Sequence, residues 1–148
     1  MTLAARVEGA MVVRSHHDLI VWKKAMDLVL CCYEATSRFP TSEQFGLTTQ
    51  LRRAAVSVPA NIAEGHGRTT TRAYLQFLTI ANGSLQELDT HLRIAVRLRF
   101  ITMAQTEPVF NLLNEVSRML GSLRRSLIAR VRAIKTSSKS IPLPEPQP

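Results

Sequence analysis

Apolar residues return along most of this chain with a period near 3.6, the spacing of a helix with one buried face. From Asp18 to about Arg38, Leu19, Trp22, Ala25, Met26, Val29, Cys32, Tyr33 and Thr36 gather on one side, opposite Lys23, Lys24, Asp27 and Glu34. A second helix is predicted from about Ser42 to Glu64 on Leu47, Leu51, Ala54, Ala55, Val58 and Ile62. A third runs from near Thr71 to about Leu98 on Tyr74, Phe77, Leu78, Ala81, Leu85, Leu88, Leu92, Ala95 and Val96. A fourth starts between Thr102 and Glu107 and reaches about Ile134, with Val109, Leu112, Leu113, Val116, Leu120, Leu123, Leu127 and Val131 in line.

The breaks between these stripes carry end signals. Asp18 reads as an N-cap, Pro40 closes the first helix, and Thr41 with Gln44, like Thr102 with Gln105, has capping-box spacing. Four amphipathic helices joined by short connections bury their stripes by antiparallel packing. The expected fold is therefore all-α, an up-down-up-down four-helix bundle over residues 18–134. Residues 1–17 read as a flexible N-terminal segment, and residues 135–148, Ser-rich and then Pro-rich, as a disordered tail.

"AAVSVPANIAEGHGR", residues 54–68, interrupts this regularity. Pro59 removes a helix hydrogen bond, which costs about 3 kcal/mol in a helix interior and calls for dense packing of Ala54, Ala55, Ala60 and Ala63. A kinked helix is the preferred description, and a helix broken in two the competing one. Gly65 and Gly67 read as the helix exit, where a left-handed residue is wanted. On the helical wheel Arg53, Ser57, Asn61 and Glu64 share one sector beside the stripe, with Glu64 placed to balance Arg53. The third helix offers a matching edge in Ser84, Glu87 and His91. Two such edges meeting between helices or between subunits give a structural polar seam that sets register. The other side of the second helix, Thr49, Val56, Ala60 and Ala63, is nearly apolar, which implies a homo-oligomer.

Composition narrows the chemistry. At 148 residues and a formal net charge of +8, carried more by arginine than by lysine, the chain is one basic domain. Arg118, Arg125 and Arg132 recur every seven residues opposite the fourth helix's core face, with Arg124 close by and Lys139 beyond. No acidic residue appears between Met119 and Lys139. An unneutralised basic row on a rigid helix can follow a phosphate backbone, so these five are the candidate nucleic-acid-binding residues, for RNA or DNA. No aromatic residue interleaves them, so base stacking is not indicated. The competing reading is a protein-interaction scaffold whose basic face meets an acidic protein.

Catalysis finds little support in the residue pattern. No glutamate is followed three residues later by histidine, as a di-iron carboxylate bundle requires, and no histidine pair has metal-ligand spacing on a helix. An enzymatic site would have to be built from Asn61, Glu64, His66 and His91. No metal and no cofactor is expected. Adjacent Cys31 and Cys32 suit reduced, structural thiols. With neither a signal-peptide core nor a membrane-length apolar run, a cytoplasmic location and no membrane partner are expected.

Three blocks carry a further signal: "DLIVWKKAMDLV", "FGLTTQLRRAAVSVPANIAEGHGR" and "YLQFLTIANGSLQELDTHLRIA". Together they resemble the four-helix-bundle proteins named for intervening sequences of bacterial 23S ribosomal RNA, over roughly residues 18 to 133. That group is related to the accessory variability determinant of diversity-generating retroelements, which associates with a reverse transcriptase and binds nucleic acid. The resemblance implies a ring-like homopentamer without established enzymatic activity, and a reverse transcriptase or other nucleic-acid enzyme as partner. It also implies motif positions at Arg52, Arg53, Pro59, Asn61, Glu64, Gly65, Gly67, Arg68, Ser84 and Glu87. The family's third helix often ends in a Leu-Gly-Tyr-like turn, where this chain has Leu98, Arg99 and Phe100.

Overall fold

The computed structural model describes residues 7–8 and 11–138, with side chains from Val13 onward. Four helices dominate: α1 Ile20–Thr36, α2 Leu47–His66, α3 Thr71–Arg97 and α4 Met103–Ser138. Ahead of them, Val7–Glu8 pairs antiparallel with Met11–Val12. Among the described residues α1 packs against α2 and α4, and α3 against α2 and α4, while the diagonal pairs do not meet. This is the square, up-down-up-down arrangement that short connections dictate.

The core lies where the four stripes converge. Leu28, Leu51, Val58, Ile62, Leu78, Leu85, Leu88, Leu92, Val109, Val116 and Leu120 are fully buried. On α2 and α3 most of the residues expected from the periodicity are buried. On α1 the buried residues are Val21, Ala25, Leu28, Cys32, Ala35 and Thr36, so Ala25, Cys32 and Thr36 lie where expected, while Leu19, Trp22 and Val29 are only half-buried against the core. Met26 and Tyr33, expected inside, are 39% and 44% exposed on the flank.

The helix ends follow capping chemistry, with corrections. Thr102 and Gln105 form the expected reciprocal box, the Thr102 N–H donating to Gln105 Oε1 at 3.0 Å and the Gln105 N–H to Thr102 Oγ1 at 3.2 Å. Thr41 and Gln44 do not. Thr41–Glu43 is a separate 3-10 turn, and Glu43 caps the later start of α2 by accepting from the Leu47 N–H at 3.0 Å. Asp18 is not the N-cap of α1, which is Leu19; it closes a turn over His16–Asp18, inside the stretch read as loose chain. α4 continues through Ser138, past the expected end at Ile134, so residues 135–138 are helical; the tail beyond, with Lys139, lies outside the described residues. The N-terminal calls for residues 1–6 and 9–10 lie outside them too.

The turn from α3 to α4 keeps its geometry without a glycine. Arg99 adopts φ 60°, while its N–H donates to Val96 O and the Phe100 N–H to Ala95 O, both at 3.0 Å. Those two bonds make a Schellman motif, whose left-handed residue is normally glycine. Phe100 then reaches Phe39, ring centroids 5.9 Å apart. A side chain in left-handed backbone costs roughly 1–2 kcal/mol. Arg99→Gly should therefore raise stability by about 1 kcal/mol, read as a higher urea midpoint with an unchanged slope.

Candidate nucleic-acid interface

The interrupted stretch resolves into one continuous helix. α2 passes through Pro59, which is buried with Ala54, Ala55, Val58 and Ile62 around it, so the broken-helix description does not hold. Ala60 is exposed and Ala63 only half-buried, so the alanines that pack around the proline are Ala54 and Ala55. Neither glycine is left-handed. Gly67, the C-cap, has φ −75°, and Gly65 sits buried inside the helix. A Cβ on Gly65 would lie 2.8 Å from Tyr74 Cδ2 and 2.9 Å from Phe77 Cβ. Gly65 is required for close approach of α3, not for a turn.

Three of the seven residues expected in the polar seam join it. Asn61 Nδ2 donates to Ser57 O at 2.8 Å and to Ser57 Oγ at 3.0 Å, and Ser84 Oγ donates to Ser57 Oγ at 2.8 Å. This links α2 to α3 within one subunit, with Ser84 buried. Glu64 does not balance Arg53; it pairs with Arg68 one turn on, whose guanidinium lies 4.6 Å over the Phe77 ring. Arg53 and Glu87 are exposed, with no hydrogen bond or ion pair among the described residues. His91 is half-buried, its Nδ1 buried without a hydrogen bond. Asn61, Glu64, His66 and His91 thus do not converge, and among the described residues no three His, Cys, Asp or Glu side chains are grouped to hold a metal. Cys31 and Cys32 are free thiols, and burial pushes Cys32 up to about 12, so it stays protonated.

The arginines separate into two classes that composition cannot distinguish. Some are tied down. Arg52 Nε donates to Thr36 Oγ1 at 2.8 Å with its guanidinium 4.4 Å over Tyr33, and Arg93 makes two bonds to Asp89 while lying 5.2 Å over Phe110. Arg124, expected in the basic row, is half-buried and donates to Thr79 Oγ1 at 3.4 Å, so it joins α4 to α3. Others are free. Arg118, Arg125 and Arg132 are exposed and have no ion-pair partner among the described residues. Seven-residue spacing on a straight helix sets them about 10 Å apart along one edge. A shallow cleft of about 430 Å³ elsewhere on the α3–α4 side is lined by Arg93, Glu107, Phe110 and Asn114 with Met103 and Ala104, its arginine already held by Asp89.

The apolar side of α2 read from the sequence is exposed at Val56 (43%) and Ala60, but sequence reasoning missed two other features. On α1, Met26, Leu30 (69% exposed) and Tyr33 are exposed too, and Arg52 of α2 stacks on Tyr33. The histidine turn at the start of α1 was legible in principle, because Ser15-x-x-Asp18 has capping-box spacing.

The fold and these surfaces define a basic, antiparallel four-helix-bundle protein. Residues 17–122 match the model of the 23S rRNA-intervening sequence protein family. The chain belongs to that family. Among solved structures it is similar to a protein of unknown function of the S23 ribosomal protein family from Bacteroides thetaiotaomicron. That likeness has 23% identity and a TM-score of 0.64, covering 71% of this chain and 98% of the other. It shows the shared fold. No curated protein matches the chain. Among the described residues no helix is long and apolar enough to cross a membrane.

Gly65→Ala should destabilise the bundle by roughly 1–3 kcal/mol, because Tyr74 and Phe77 would have to move. Thermal unfolding of the variant beside Gly67→Ala checks this. Gly67, whose added Cβ would meet nothing nearer than 3.5 Å, should tolerate alanine.

Proposed function

We propose that this protein is a homo-oligomeric, non-enzymatic bundle that binds the backbone of RNA or DNA along the outward edge of α4. The observation that carries the reading is the row Arg118, Arg125 and Arg132 on one helix, exposed and without ion-pair partners among the described residues, in a stretch without acidic residues. Guanidinium groups without carboxylate partners are available to phosphate, and phosphate binding releases counterions from the nucleic acid. The lack of aromatic side chains on this edge favours backbone contact over base recognition. Arg93 and Arg68, held by Asp89 and Glu64, are not part of the surface.

Self-association accompanies this reading. The apolar face shared by α1 and α2 carries side chains that a monomer leaves in water, and the small residues Ala60 and Ala63 allow another helix to approach closely. The ring-like homopentamer implied by the family resemblance would bury this face and leave α4 outward, repeating the arginine row around the ring. A partner enzyme acting on the same nucleic acid is compatible with such a display.

The test is a fluorescence-anisotropy titration of mixed-sequence RNA and DNA at several salt concentrations, with wild type beside an Arg118→Gln, Arg125→Gln, Arg132→Gln variant of matched oligomeric state. The log-log salt slope should be about −0.7 per phosphate contact on single strands and shallower in the variant. Absence of wild-type binding near physiological salt, or an unchanged slope in the variant, would overturn the assignment and turn the search to an acidic protein partner.

A further inference from the structure

α4 is longer than the bundle it belongs to. It runs for 36 residues against 27 in α3, and Leu127 is its last buried residue. Among residues 128–138 only Val131 is half-buried, and the others are exposed. At 1.5 Å per residue this stretch carries a bare helical arm roughly 16 Å past the last core contact. The arm continues a helix already nucleated in the core, so its turns need only propagation, and Ala129, Arg130, Arg132, Ala133 and Lys135 are strong helix formers.

The charge of the arm is not confined to the edge marked by Arg118, Arg125 and Arg132. On a helix Arg130 lies about 160° from Arg132 in one direction and Lys135 about 60° in the other, so these three cations cover about 220° of the circumference. All three are exposed without an ion-pair partner among the described residues, and the stretch holds no acidic residue. An open surface reaches one side of a helix. Cations on so wide an arc act together only where an anionic surface wraps around it. We infer that the arm over residues 128–138 enters the major groove of duplex DNA, with Arg130 reaching the phosphates of one wall and Arg132 and Lys135 those of the other. The inference rests on the nucleic-acid reading above and names the substrate class of that same helix.

Groove geometry selects the duplex. The major groove of B-form DNA is about 12 Å wide and admits an α-helix, whereas the deep, narrow major groove of an RNA duplex does not. A single strand has no walls, and the arm carries no aromatic side chain on which its bases would stack. A continuous helix that leaves a packed core to lie in the groove is an established way of holding DNA. In the groove Ile128 and Ile134, 36% and 65% exposed, meet base edges and thymine methyl groups in place of water. Arg118 and Arg125, on the packed part of α4, then meet the backbone flanking the groove.

Fluorescence-anisotropy titration of the full chain with a mixed-sequence DNA duplex, the RNA duplex of the same sequence and the single DNA strand, each across a salt series, tests the assignment. The DNA duplex should bind most tightly. An Arg130→Gln, Lys135→Gln variant, which leaves the edge row intact, should lose about 0.9 from the log-log salt slope on duplex DNA for each residue replaced. Ala133→Pro breaks the arm beyond the last core contact, so it should remove the preference for duplex DNA while the thermal unfolding midpoint is kept. A duplex whose major groove is filled by glucosylated 5-hydroxymethylcytosine should lose its advantage over the single strand. Equal binding of duplex and single strand, tighter binding of the RNA duplex, or an unchanged slope in the Arg130→Gln, Lys135→Gln variant would overturn the groove assignment and leave the edge row of α4 standing. No binding of any of the three near physiological salt would overturn both.

Discussion

The close contact of α2 with α3 is the constraint on which the rest of this bundle depends. Gly65 has no side chain because Tyr74 and Phe77 occupy the space a Cβ would need, and further along the pair Ser57 and Ser84 meet through a 2.8 Å hydrogen bond. Small residues bring the backbones together, and the paired hydroxyls fix the axial register without leaving a buried polar group unsatisfied. With that register set, Ile62, Leu78 and Leu85 meet in the core, and Pro59 is held inside a continuous helix despite its missing hydrogen bond.

Fixing α2 against α3 also decides which charges are spent. Arg68 folds back onto Phe77 and Glu64 at the end of the pair, while Arg93 is held by Asp89 on α3 and Arg124 reaches from α4 to Thr79. The arginines without ion-pair partners among the described residues include the row on the outward edge of α4. Apolar side chains that do not reach the core lie exposed on the α1/α2 side, at Met26, Leu30, Tyr33 and Val56, and also along α3 and α4, at Ile80, Ile94, Ile128 and Ile134. Two surfaces of different chemistry result, a basic edge on α4 and an apolar flank on α1 and α2, and the proposed function rests on them.

Much of this was legible in the amino-acid pattern. Helix number, order and approximate limits follow from the 3.6-residue period, and the Thr102–Gln105 cap from its spacing. The family is carried by the blocks around residues 18–29, 45–68 and 74–95, within the matched range 17–122. The α1 register was legible only in part: a wheel centred on Trp22 includes the buried Ala25, Cys32 and Thr36, but it leaves out Val21, Leu28 and Ala35, which are buried as well, and takes in Met26 and Tyr33, which are exposed. The two glycines after Glu64 look like an exit turn on composition; only the neighbouring helix shows that Gly65 answers a steric demand. Arg99 illustrates the converse, since its left-handed backbone is set by two hydrogen bonds of the Schellman motif and not by the residue type. The partners of Glu64 and Arg124 depend on which side-chain reaches compete, which periodicity does not encode.

Arginine-modification footprinting with phenylglyoxal, read by mass spectrometry with and without mixed-sequence RNA, tests the central claim that the outward edge of α4 meets nucleic acid. The account predicts RNA-dependent protection at Arg118, Arg125 and Arg132, and no change at Arg53, which is exposed on α2. Protection centred on Arg53, or no RNA-dependent protection on α4 under conditions where RNA is bound, would contradict it.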